Sequence, residues 1–233
     1  MVSDRPASAQ QQAYLHLRKQ ILEGQLPAGS LLKPEQIAQQ IGVSRMPVRE
    51  AIRQLDAEGL VVFRPNRRAV VQSLSWKEVH EIFEIRAVLE GLAARHAAIN
   101  ASVDDIADLR HFWDRMERAK DKPEKWIAHH DEFHEFVVRL AARPRLTAQI
   151  NLLRDTCRPY FRLHISVYGR PEAPGFSEKL IVDSLEEKDP AVAEQVMQEH
   201  VMAHSHWLED YLRREASVGG HEAPAERNRE SVI

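Results

Sequence analysis

Two groups of side chains in this chain have types and spacings suited to chemistry. The first is Arg45, Arg49 and Arg53, each four residues apart within VSRMPVREAIRQL (43–55). On a helix that spacing gathers three guanidiniums on one face, while Val48, Ala51, Ile52 and Leu55 fall at i, i+3, i+4 and i+7 on the other. A guanidinium pairs with phosphate, and it can hold guanine O6 and N7 through two parallel bonds. The second group lies in HHDEFHEFVVRL (129–140), where His130 and Asp131 stand four and three residues before His134 on one helical face. Further along, His200 and His204 share a face with Val196, Trp207 and Tyr211. Imidazoles and carboxylates projecting into a helical interior suit a divalent cation, and they equally suit a hydrogen-bonded polar cavity without one.

The elements that must position the arginines are short. Residues 10–23 read as a helix with Tyr14, Leu17, Ile21 and Leu22 on one face, and Gly24 stops it. Pro34 to Ile41 is a second helix, ended by Gly42, and Arg45 to about Glu58 is a third. Ser44 is placed to cap that third helix by accepting a first-turn amide hydrogen bond, and Pro47 lies early enough to remove no intrahelical bond. Leu60–Arg64 and Ala69–Gln72 are β-rich runs separated by PNRR, which predicts a two-stranded hairpin with a basic tip. A helix-turn-helix followed by such a hairpin is a winged helix. In that frame Arg45 and Arg49 reach base edges in the major groove, while Ser44 and Met46 touch phosphate or a thymine methyl. Arg53 meets backbone phosphate, and Arg67 and Arg68 suit the minor groove or its phosphates. A solvated helix face is the competing reading of the arginine stripe.

Beyond Ser73 the β signal gives way to long apolar periodicities at about 76–99, 103–120, 124–142, 145–167, 176–187 and 189–215, which predict a six-helix bundle. Pro159 falls inside the fourth of these, where a kink or break is expected. The fold class is therefore mainly α: a winged helix-turn-helix over 8–73, an all-α six-helix bundle over 76–215, and a disordered tail over 217–233 that is poor in large apolar residues.

The formal net charge of −3 hides a division. Residues 1–72 hold 10 Lys and Arg against 6 Asp and Glu, a net of +4, and the rest holds 22 against 29, a net of −7. Only the first part suits a polyanion. No apolar run reaches the length of a membrane span and the N-terminus lacks a signal-peptide core, so a cytoplasmic protein is expected. The lone Cys157 excludes an intrachain disulfide.

The segments GQLPAGSLL, IAQQIGVSRMPVREAIRQLDAEGLV and EIFEIRAVLEGLAARHAA together resemble the GntR family of transcription regulators of the FadR type, whose C-terminal ligand-sensing domain is called FCD. The resemblance covers about residues 10–215, and six C-terminal helices suit the branch similar to vanillate-type regulators. It implies a homodimer on a short palindromic operator, which releases or rearranges when a small metabolite, usually a carboxylate, occupies the helical domain. Metal-binding members carry an acidic or amide residue four before the histidine of an FH pair, a histidine starting a later helix, and another 22 residues on. Phe133–His134 supplies the pair, His130 takes the place four before, and Glu178 stands 22 before His200 where histidine is usual. The resemblance thus implies a set of His130, His134, Glu178 and His200, with Asp131 as another source of the carboxylate, for zinc, nickel or a similar divalent ion. Arg86 matches a family position near the effector, and a salt bridge to Glu90 is its alternative use. Arg158, Tyr160, Arg162 and His204 are further candidates for effector binding. In the wing, Arg68 stands where the family commonly has glycine, so a positive φ there would be strained.

These observations point to a ligand-responsive, DNA-binding repressor with double-stranded operator DNA, a small carboxylate effector and a second copy of itself as partners. A metal-dependent enzyme on a helical bundle is one alternative, since a histidine and carboxylate cluster can activate water. No separate nucleophile or base accompanies the cluster to support it. A DNA-binding protein without an effector is the other alternative.

Overall fold

A computed structural model describes residues 7–169 and 178–219 of the chain, and it divides into two units at Leu74 and Ser75. The first unit opens with α1 (Ala9–Leu22), where the Ser8 hydroxyl accepts from the Gln11 amide and Ala13, Leu17, Ile21 and Leu22 turn inward. A two-residue strand β1 (Leu31–Leu32) precedes α2 (Pro34–Ile41), which begins on proline and ends on Gly42 at φ +70°, a conformation that costs glycine nothing. Then come α3 (Arg45–Ala57), β2 (Val61–Arg64), a short turn over Pro65–Arg67, and β3 (Arg68–Val71). Val48, Ala51, Ile52 and Leu55 of α3 are fully buried against α1 and the sheet, as their spacing requires.

The wing is a three-stranded antiparallel sheet in the order β1-β3-β2, not the two-stranded hairpin expected. Leu31 and Leu32 pair with Val70 and Ala69, and Val61 to Arg64 pair with Val71 to Arg68. Two residues are too few to show an alternating pattern in sequence, yet they satisfy the free edge of β3. Ser44 takes the position before α3 with extended backbone, but its side chain makes no capping hydrogen bond, which corrects the expected cap.

The second unit holds the six expected helices: α4 (Trp76–Asn100), α5 (Val103–Arg118), α6 (Pro123–Leu140), α7 (Pro144–Tyr168), α8 (Glu178–Glu186) and α9 (Pro190–Gly219). Capping boxes at Ser75 with Glu78 and at Ser102 with Asp105 fix where α4 and α5 begin. The long helices α4 and α9 approach closely because α4 turns Ala87, Gly91, Ala94 and Ala98 inward, and a Cβ at Gly91 would stand only 2.7 Å from Gln198 Cγ. No break occurs at Pro159. Helix α7 runs through it, with Cys157, Tyr160, Phe161, His164 and Ile165 buried around the lost hydrogen bond. Helix α9 continues to Gly219, past its expected end at 215, and the rest of the expected tail lies outside the described residues. Among the described residues no helix is long and apolar enough to cross a membrane.

Candidate functional site

Each unit presents one site. In the first, α3 leaves Arg45, Met46, Arg49 and Arg53 exposed along one face, with Ser44 exposed just before it. Arg45 lies 3.5 Å from Glu35 of α2, and Arg53 donates to Glu50 at 3.1 Å. Among the described residues Arg49 has no carboxylate partner, so its guanidinium is fully available to an anion. The turn between β2 and β3 takes its positive φ at Asn66 (+68°), a residue that tolerates the left-handed region. Arg67 closes that turn, and Arg68 is an exposed, extended strand residue at φ −80°. The strain expected from arginine in a glycine position is therefore absent: the chain has moved the left-handed residue two places earlier.

In the second unit, α6 turns Trp126, His130, Phe133 and His134 inward, with Phe133 and His134 three and four residues past His130. Glu178 opens α8 and His200 comes from α9, and both are buried. One ligand atom from each of His130, His134, Glu178 and His200 lies within 4.8 Å of every other. His134 Nε2 and His200 Nε2 face each other at 3.2 Å, and His130 Nε2 stands 3.7 Å from Glu178 Oε1. Both ring nitrogens of His130 and Nδ1 of His134 are buried without a hydrogen-bond partner. Leaving such groups unsatisfied costs about 1–3 kcal/mol each, which a bound cation taking their lone pairs would recover. Burial, reinforced by His204 and Arg154, holds His130 well below the usual histidine value, and burial with His130 and Arg154 does the same to His134. Both are neutral at neutral pH, the form that ligates a metal.

Around this set lies a shell of charge and aromatic surface. Trp126 stacks on His130 at 4.9 Å between centroids, and Phe161 stacks on it at 5.0 Å, with 6.4 Å between the Trp126 and Phe161 rings. His204 adjoins the cluster, 4.5 Å from the His200 ring, with its Nδ1 bonded to the His200 carbonyl. Burial takes His204 down to about 4. Arg86 reaches Glu90 through Nε at 2.8 Å, so the salt bridge is formed, and it also sits close enough to polarise Cys157, His130 and His204. Burial raises the Cys157 thiol to about 11, which makes it inert packing.

Two expectations are corrected. Asp131 is not part of the cluster; it pairs with Arg158 at 2.7 Å, because its position one residue past His130 rotates it about 100° off the inward face. Arg158 is in turn held between Asp131 and Asp155. Tyr160 is buried, whereas Arg162 makes no hydrogen bond or ion pair with the cluster among the described residues. Sequence reasoning missed Arg154, a partly buried guanidinium whose field reaches His130, His134 and Glu90. Glu90, named in sequence only as a partner for Arg86, is buried with Oε2 unpaired. The signal for Arg154 was present: it interrupts the buried α7 stripe Ile150, Cys157 and Phe161 at the i+4 place.

Comparison with known proteins agrees with this geometry. Residues 9–71 match the family described as bacterial regulatory proteins, gntR family, and residues 81–203 match the FCD domain. A probable D-xylose utilization operon transcriptional repressor of Paenarthrobacter nicotinovorans is 33% identical over 187 residues, covering 79% of this chain and 82% of its own. The uncharacterized HTH-type transcriptional regulator YdhC of Bacillus subtilis is 28% identical, covering 86% of this chain and 89% of its own. Among solved structures, E. coli McbR/YncC superposes with a TM-score of 0.76 at 24% identity, covering 88% of this chain and 99% of that one, a likeness of fold. A GntR-family regulator from Pseudomonas syringae gives a TM-score of 0.55 at 26% identity over 93% and 91% of the two chains. The relatives are named as regulators of transcription, not as enzymes. The chain belongs to the GntR family of DNA-binding transcription regulators, with a C-terminal ligand-sensing FCD domain.

Proposed function

We propose that this regulator is a repressor whose helical unit senses a small carboxylate beside a divalent cation, and that two copies bind a palindromic operator in the cytoplasm. The observation that carries the reading is the buried set His130, His134, Glu178 and His200, three imidazoles and one carboxylate converging on one point. That donor set suits zinc, nickel or a similar ion. When bound, the ion would supply a Lewis-acid position for a carboxylate oxygen. The chain's own residues do the rest. Arg86 and Arg154 place positive charge at the cluster, partly offset by Glu90 and Asp131, and that charge favours an anionic effector there. His204 donates its Nδ1 proton to the His200 carbonyl, which fixes its ring beside the cluster.

At the operator, Arg45 and Arg49 read base edges, Ser44 and Met46 flank them, and Arg53, Arg67 and Arg68 neutralise phosphate. The exposure of Ser44, Arg45, Met46, Arg49 and Arg53 at α3 and of Arg68 in β3 supports this assignment.

Metal analysis of protein purified without chelator tests the sensing site. One equivalent of divalent ion per chain is expected, with a rise in Tm when zinc or nickel is restored to stripped protein. His134→Ala should lose both the ion and the shift. A wild type with neither overturns the metal centre.

A further inference from the structure

The arginines on the exposed face of α3 differ in what holds them. Arg53 pairs within its own helix, with Glu50 at 3.1 Å. Arg45 is held from another helix: its Nη1 lies 3.5 Å from Oε1 of Glu35, which stands in the first turn of α2. Both partners remain open to solvent, Arg45 at 69% and Glu35 at 49%. A carboxylate belongs at this place on local grounds. Arg45 is the first residue of α3, where the helix dipole disfavours a cation, the first turn of α3 holds no acidic residue, and the Ser44 side chain makes no cap. Glu35 supplies negative charge there from α2, whose own N-terminus also favours it. An exposed pair adds little stability, so its consequence lies in where it puts the guanidinium. The contact engages Nη1 and leaves the side formed by Nε and Nη2, a two-donor edge that matches O6 and N7 of guanine.

We infer that Glu35 is a positioning residue for Arg45 and sets the specificity of DNA reading by exclusion. This rests on the base-reading role proposed above for Arg45. A guanine edge is neutral, so it can share the guanidinium with the Glu35 carboxylate. A phosphate cannot do so without bringing two anions together, which opposes its binding. Glu35 thus keeps Arg45 for base edges and turns it away from the DNA backbone. The gain in specificity comes from a penalty on the wrong ligand, not from an added contact to the right one. Glu50 offers a control, because it pairs with Arg53, which is assigned to phosphate on every sequence. Removing its charge should tighten all duplexes alike.

Anisotropy of the full-length protein on a duplex that it selects from a random pool, and on a scrambled copy, tests the inference over a salt series. Glu35→Gln is an exposed change of equal size, so the fold is retained. It should bind the scrambled duplex more tightly, with a salt slope steeper by about one, because Arg45 is freed to neutralise a further phosphate. The ratio of the two affinities should fall by about fivefold or more, the lower end of what one bidentate arginine discriminates. In an Arg45→Ala background Glu35→Gln should leave that ratio unchanged, the mark of an effect that acts through Arg45. Glu50→Gln should also leave it unchanged. A Glu35→Gln protein that keeps the wild-type ratio would overturn the inference, and so would a fall in the ratio that persists without Arg45. Arg45→Ala weakening both duplexes equally would instead overturn the base reading of Arg45, and the inference with it.

Discussion

The α3 face and the α6–α8–α9 cluster are both made of basic side chains on helices, and they are solvated in opposite ways. Arg45, Arg49 and Arg53 stand in water and keep their charge, so they attract an anion at long range and lose that attraction to salt. His130, His134 and His200 are buried, and burial removes the charge that His130 and His134 would otherwise carry, leaving lone pairs for a cation. In the proposed reading the same chemical class of residue serves two ligands of opposite sign, and exposure decides which.

The largest expected effect separates the two regions by acid. In metal-stripped protein, histidines with depressed folded values leave the unfolded chain binding more protons below their ordinary value of 6.5. The stability they give the helical unit is present above pH 6.5 and lost as pH falls toward 4, where His204 titrates in the fold. For His204 alone the full loss is about 3 kcal/mol. His80 works the other way: its hydrogen bond to Glu209 raises it, so its contribution is present in mild acid and fades as pH rises through its folded value. Being single and half-exposed, it does not offset three buried rings. All four tryptophans, Trp76, Trp113, Trp126 and Trp207, lie in the helical unit, so tryptophan fluorescence melts follow it alone. A Tm that falls steeply between pH 6.5 and 4 is expected, and a flat profile would break the contrast between neutral and charged sites.

Next in size is the exposed face. Arg49→Ala should weaken operator binding by about tenfold to a hundredfold at fixed salt, the range for one arginine on a guanine edge. Arg53→Ala should instead weaken all sequences alike and lower the salt slope by about one. Fluorescence anisotropy over a salt series on operator and scrambled duplexes separates them. Equal loss on both duplexes for Arg49→Ala would move that residue from base reading to phosphate.

Which parts of this were legible in sequence follows from how local each cause is. The α3 face was legible because spacing alone sets it: Val48, Ala51, Ile52 and Leu55 are buried as their period requires, and the arginines follow. The cluster was legible through the i and i+4 pairing of His130 with His134, but its fourth corner depended on the resemblance, since no period links Glu178 to α6. Asp131 and Arg158 were misplaced because a residue's neighbour across a bundle is set by tertiary packing. Each took the other as partner, which no sequence window displays. Strand β1 was invisible for the same reason, existing only because β3 has an edge to fill.

The smallest effect tests the wing, where the charged face depends on one backbone angle. Asn66 carries the turn's positive φ, and Arg68 pairs with Arg64 in extended conformation. Asn66→Ala forces a Cβ-bearing residue without a compensating amide into the left-handed region, a cost of about 1 kcal/mol. Asn66→Gly removes that cost, so its hairpin should be at least as well formed as in the wild type. Arg68→Gly relieves nothing, because φ at Arg68 is already ordinary, and it adds backbone entropy to a short strand. Amide exchange across β2 and β3 reads all three: about fivefold faster for Asn66→Ala, the factor that 1 kcal/mol gives, little changed for Asn66→Gly, and faster for Arg68→Gly. The opposite order, with Arg68→Gly protecting the hairpin, would place the left-handed residue at Arg68. The wing's basic tip would then be aimed by a strained arginine instead of a relaxed one.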